Sequence, residues 1–203
     1  MFILYALVIG LAVGFLVGGR PAGLSQLQFR WPAVMLAGVL VQVILFSDQV
    51  SAWIGSAGPP IYVASTAAVV LAVLANRRIT GMPVVALGAA CNFAAIVANG
   101  GYMPASPAAL GVHAAQQAAG YSNSIVLANP VLAPLTDIFA LPSWLPGHNV
   151  FSVGDVLIMA GIVAAIVLQM RTREVIRIDD RMVRFGPLAE ANPPGPRLRR
   201  WAP

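Results

Sequence analysis

Asp137 and Asp155 are the side chains of this chain best placed to do chemistry. Each is a carboxyl in or beside an apolar stretch, in LTDIFALP and NVFSVGD, with no basic residue near it in sequence. Two carboxyls brought close together share a proton, and different surroundings divide acid and base roles between them. They are the candidate catalytic pair of an aspartyl-type hydrolase. Asn92, Asn99 and Ser152 are the candidate binding side chains. Local structural roles fit the same residues. Asp155 follows Gly154 at the start of an apolar run, where a carboxylate caps free N–H groups and suits the positive end of a helix dipole. Asp137 fits a cap or turn, and Asp48 fits an interfacial position. Gln42 and Asn92 fit interhelical hydrogen bonding.

Other chemistries lack their residues. His113 and His148 show no metal-ligand spacing and read as surface residues, so no metal site is expected. No His lies in an apolar run, which argues against a haem or chlorophyll ligated by this chain alone. There is no Walker loop, no dinucleotide-binding Gly pattern and no nucleophilic Ser elbow, so no cofactor is expected.

The elements that must position these residues are apolar helices. The chain has 203 residues, 59% hydrophobic and only 9% charged, against about 25% charged in ordinary soluble domains. The expected class is an all-α polytopic membrane protein. A membrane domain is expected over 1–170, with spans at about 2–19, 32–50, 59–75, 82–98 and 155–170. Each is close to the length that crosses roughly 30 Å of hydrocarbon. The first run follows Met1 without a basic leader, so no cleavable signal peptide is expected. Ala6, Gly10, Gly14 and Gly18 recur every four residues on one face of the first span, a spacing that lets another helix approach closely. That face suits packing within the bundle or docking to a partner. Residues 51–60 read as a turn-rich loop carrying Trp53 as an interfacial anchor.

A long segment over 99–154 separates the fourth and fifth spans. It is apolar, interrupted by Pro and Gly, and has no Arg. Ser106–Pro107 opens a short Ala-rich helix to about Ala119. The stretch from Ile125 to Leu145 reads as further short helices lying on or dipping into the membrane. Residues 171–203 form a basic tail whose first half has the content of an interfacial helix.

Arginine placement sets the orientation. All 12 basic residues are Arg. Arg20 and Arg30 lie in the first loop, Arg77 and Arg78 in the third, and the rest in the tail. The positive-inside rule then puts the N-terminus outside, the C-terminus in the cytoplasm and five spans between. Asp48, Asp137 and Asp155 gather on the outer side. The net charge of +5 follows from topology, so nucleic acid is not an expected partner.

Three motifs carry a resemblance. NGGYMP (Asn99–Pro104), LTDIFALP and FSVGDVLIMAG (Phe151–Gly161) resemble, in that order, the signatures of an uncharacterised family of small bacterial polytopic membrane proteins. The likeness covers about Val84 to Met170 and implies a bacterial inner-membrane location without an established activity. A remoter likeness is to lipoprotein signal peptidases, aspartyl proteases of the bacterial inner membrane. Their last span opens with a Phe-Asn-x-Ala-Asp motif, whose catalytic Asp would match Asp155. Asp137 would match their Val-Asp-Phe acid, and Asn92 the Asn of their Gly-Asn pair. Their other catalytic Asp stands three residues beyond that Asn, where this chain has Ala95. Asp137 replaces it only where its loop folds inward.

The function expected from these readings is non-catalytic: an accessory or scaffold subunit of a membrane complex, or a lipid-binding component. Membrane lipids and other membrane subunits are the expected partners. An aspartyl membrane hydrolase and a small-solute transporter or channel are the alternatives.

Overall fold

The computed structural model describes residues 2–110, 124–142, 144–145 and 150–172. His113, His148, Asn149, the end of the expected Ala-rich helix and the basic tail from 173 lie outside the described residues. The described chain is mostly helical. Its main helices are α1 (Phe2–Leu16), α2 (Pro32–Leu45), α3 (Asp48–Ile54), α4 (Gly58–Ala75) and α5 (Met82–Ala98), followed by the single turn α6 (Pro107–Leu110) and finally α7 (Val153–Arg171). Two helical stretches are long and apolar enough to cross a membrane, Asp48–Ala75 and Val153–Arg171. Three shorter apolar helices accompany them.

The boundaries of the first two runs and of the loop after them differ from the sequence expectation: the first run stops at Leu16 rather than near residue 19. The second apolar run stops at Leu45 rather than near residue 50, and a new helix begins at Asp48. Residues 51–60, expected as a turn-rich loop, are helical. A 3₁₀ turn over Gly55–Ala57 joins α3 to α4. The Pro59–Pro60 pair does not interrupt it, because Pro is tolerated in a first helical turn, where its missing N–H has no partner to lose.

The helices pack in the order α1, α7, α5, α4, α2. Glycines set the closeness of two of these contacts. Gly10 and Gly14 of α1 lie against Ile166 and Met170 of α7, and Ala6 is fully buried. The small-residue face of α1 is therefore occupied within the bundle as far as Gly14, while Gly18 faces open space. The α5–α7 seam is tighter. Gly88 meets the backbone of Gly154, and Gly81 meets that of Gly161. The two pairs are two helical turns apart, so both lie on one line of contact.

Polar bonds close one end of the bundle. Asn76, 3% exposed, accepts from the Arg30 N–H at 2.8 Å and donates to the Arg30 carbonyl at 2.9 Å. This ties the end of α4 to the start of α2. The Arg20 N–H donates to the Met170 carbonyl at 2.7 Å, and the Gln169 side chain donates to the Gly23 carbonyl at 3.1 Å. The described basic side chains, Arg20, Arg30, Arg77, Arg78 and Arg171, all belong to this end.

The opposite end carries short strands rather than the expected helices over 125–145. Strand β1 (Met103–Pro104) pairs in parallel with β2 (Ser124–Ile125), and β3 (Phe139–Ala140) pairs antiparallel with β4 (Val150–Phe151). Among the described residues of that region only Ala133–Leu135 turns helically, as a 3₁₀ turn. Pro130, Pro134 and Pro142 break the region into short pieces, and Ile, Val and Phe favour extended backbone. A core of Leu45, Tyr62, Ala95, Ile96 and Met103 lies beneath these strands.

Candidate functional site

Ser152 starts the site. It is fully buried and is the N-cap of α7. Its Oγ accepts from the Asp155 N–H at 3.1 Å, while its own N–H donates to Asp155 Oδ2 at 2.9 Å. This reciprocal capping box satisfies two donors that a helix start leaves unpaired. Asp155 is thus both a cap and a fixed carboxylate.

Asn92 of α5 completes the constellation. Its Nδ2 donates to Asp155 Oδ1 at 2.9 Å. A carboxylate only accepts, so the amide nitrogen must face it. Asn92 Oδ1 then lies 2.8 Å from Ser152 Oγ, which also lies 3.0 Å from Asp155 Oδ2. The single hydroxyl proton serves one of these acceptors at a time. The Gly88–Gly154 contact brings the two helices this close. A Cβ on Gly154 would overlap the Asn92 carboxamide.

Asp137 arrives from the strand layer. Its N–H donates to the Pro104 carbonyl at 2.9 Å, and its carbonyl accepts from the Ser106 N–H at 2.9 Å. Two residues further on, Phe139 pairs with Phe151, and their rings stack with centroids 5.3 Å apart. The acid is thereby held between the β1 edge and the entrance to α7. Its loop does fold inward: Asp137 is only 6% exposed and lines a cavity together with Asp155 and Asn92. Among the described residues nothing donates a hydrogen bond to its carboxyl. Burial, and then the negative charge of Asp155, push its pKa up to about 7.

The cavity holds about 290 Å³. Val39, Val69, Val70 and Ile158 give it apolar walls, and Gln42, Tyr62 and Thr66 add polar groups. Gln42 donates toward Thr66 Oγ1 at 3.2 Å and Ser65 Oγ at 3.4 Å. Ile3 of α1 and Val39 of α2 both reach the lining, so the row of helices curls until its two end members border one space. Chemically, a fixed carboxylate beside a carboxyl that is half protonated near neutral pH can hold a hydrogen-bond donor or exchange a proton.

Of the residues singled out in the sequence, Asp137, Asp155 and Asn92 share this cavity, and Ser152 backs it. Asn99 stands elsewhere. Its side chain bonds the Val131 N–H and carbonyl at 2.9 and 2.8 Å and fastens the strand layer to the end of α5. Asp48 is exposed at the start of α3. Tyr62 and Thr66 were not foreseen as lining residues. They lie four apart on α4, a helical spacing that puts both on the face toward Gln42.

Among the described residues no group of three or more His, Cys, Asp or Glu could hold a metal ion. No curated protein and no solved structure matches the chain. A family does match, over residues 26–167, the region that holds Asn92, Asp137, Ser152 and Asp155: the chain belongs to DUF5317, a family of unknown function.

Proposed function

We propose that this chain is a multi-pass protein of the bacterial cytoplasmic membrane that binds an amphiphilic, lipid-like molecule in its inter-helix cavity. The five crossings would be α1, α2, α4 with its α3 extension, α5 and α7, with the N-terminus outside. Leu16, Leu36, Val43 and Leu87 are more than half exposed, as suits side chains that face lipid. The gathering of Arg at one bundle end and of Asp48, Asp137 and Asp155 at the other supports the orientation.

The cavity carries the binding reading. Its polar groups converge at the strand end while its walls are apolar, the pattern of sites that orient a mostly apolar ligand by a few polar contacts. The small-residue face of α1, which motivated a docking subunit, is taken by α7 as far as Gly14. Other membrane subunits would have to dock on other faces. The test is native mass spectrometry after stringent detergent washing. The expected result is a retained lipid-sized adduct that is lost in Ala89→Phe, because Ala89 lines the cavity. No adduct in the wild type, or an equal one in the variant, would overturn the proposal.

One observation favours a second reading, aspartyl hydrolysis: Asp137 and Asp155 face the same cavity and Asp137 is protonatable near neutral pH. It requires that both Asp137→Asn and Asp155→Asn abolish turnover of a membrane peptide or ester. Full turnover in either variant would remove it.

A further inference from the structure

We propose that the cavity selects a ligand carrying an aliphatic ammonium group on an apolar body, with the ammonium lying between Asp137 and Asp155. This rests on the cavity being a ligand site and adds the charge of the ligand.

The donor and acceptor inventory at the polar end of the cavity is unbalanced. Asn92 Nδ2 is spent on Asp155, and the Ser152 hydroxyl proton on Asn92 or Asp155. Gln42 gives its amide protons toward Ser65 and Thr66. On the acceptor side, Asp137 is 6% exposed, lines the cavity and receives no hydrogen bond from any described residue. The Tyr62 and Thr66 hydroxyls add neutral donors to the lining, but among the described lining residues nothing offsets the negative charge, and the described Arg side chains all sit at the far end of the bundle. In its ionised form, a buried carboxyl of this kind is stabilised by a donor that carries positive charge.

The walls select among cations. Val39, Val69, Val70 and Ile158 offer nothing to replace the hydration shell of a metal ion, but they suit an alkyl chain. An ammonium brings three donors and one charge, whereas an alcohol brings one donor and none. An anionic head would face two carboxyls. The same chemistry is found in a free hydrophobic amine and in the headgroup of an amine-bearing lipid.

The experiment uses the full chain in phosphatidylcholine nanodiscs, titrated at pH 8 with hexylamine, hexanol and hexanoate and read by ligand-observed NMR. Empty nanodiscs supply the partition background. Hexylamine should bind roughly tenfold or more tightly than hexanol, with hexanoate weakest, and Asp137→Asn should bring hexylamine and hexanol together. Equal binding of hexylamine and hexanol by the wild type would overturn the ammonium assignment and leave the cavity reading standing. Binding of none of them would overturn both. Repeating the titration with phosphatidylethanolamine in the disc separates the sources. Loss of hexylamine binding there marks the lipid headgroup as the occupant, and unchanged binding marks the free amine.

Discussion

Asp137 is acidic by composition and nearly neutral by position. Its pKa of about 7, against an ordinary 3.8, means that the folded chain holds a proton that the unfolded chain releases between those values. Stability from this group is fully present below the unfolded value and is lost as pH rises through about 7. The slope is at most about 1.4 kcal/mol per pH unit. Asp137→Asn should flatten the fall in melting temperature between pH 5 and 8 and melt above the wild type at pH 8. A parallel pair of melting curves would refute it. Ser152→Ala removes both a helix cap and the hydroxyl beside Asn92 Oδ1, at a cost of about 1–3 kcal/mol in thermal or denaturant unfolding. The two residues differed in legibility. Ser152-x-x-Asp155 is a local pattern, and a cap at Asp155 followed from Gly154 and the apolar run. The burial of Asp137 depends on pairing with Pro104, Ser106 and, through Phe139, with Phe151. Those contacts are distant in sequence, and no local rule reports them.

Helix interfaces respond to substitution according to what lies opposite. A methyl on Gly154 meets the Asn92 carboxamide and the Gly88 carbonyl, neither of which can retreat without opening the α5–α7 seam. Gly154→Ala should cost about 1–3 kcal/mol by overpacking. Gly14→Ala meets only the flexible end of Met170 and should cost less. Melting temperatures of the two variants in the same detergent give the order, and the reverse order would contradict the account. The helices themselves were readable from their apolar runs. The small-residue spacing on α1 was visible because it lies within one run. The Gly81/Gly88 and Gly154/Gly161 contacts were not, since each helix shows only a sparse pair of glycines and the fit is a property of both. Strands over 103–151 were missed because each is two residues long, too short to show an alternating pattern.

At the scale of the whole molecule, the proposed topology makes opposite bundle ends chemically distinguishable. In a Cys91→Ser background, Trp53→Cys should react with an impermeant maleimide in intact cells, while Arg78→Cys should react only after permeabilisation. The reverse pattern would invert the orientation. Alternating Arg content motivates this proposed sidedness from sequence alone, because charge asymmetry is a property of loops in sequence order. The order of packing was not legible. α1 and α2 are neighbours along the chain, yet they stand at the two ends of the row, and α7 sits between α1 and α5.

That last placement bears on how the chain is made. Synthesis delivers α1 first and α7 long after, at about 5–20 residues per second. Helices α2, α4 and α5 can associate in turn, since α4 finds α2 and α5 finds α4 already present. α1 cannot. Its bare Gly10 and Gly14 face must wait until Ile166 and Met170 leave the ribosome. A nascent chain stalled before Val153 is therefore an orphan assembly, with one unattached helix and an open α5 surface.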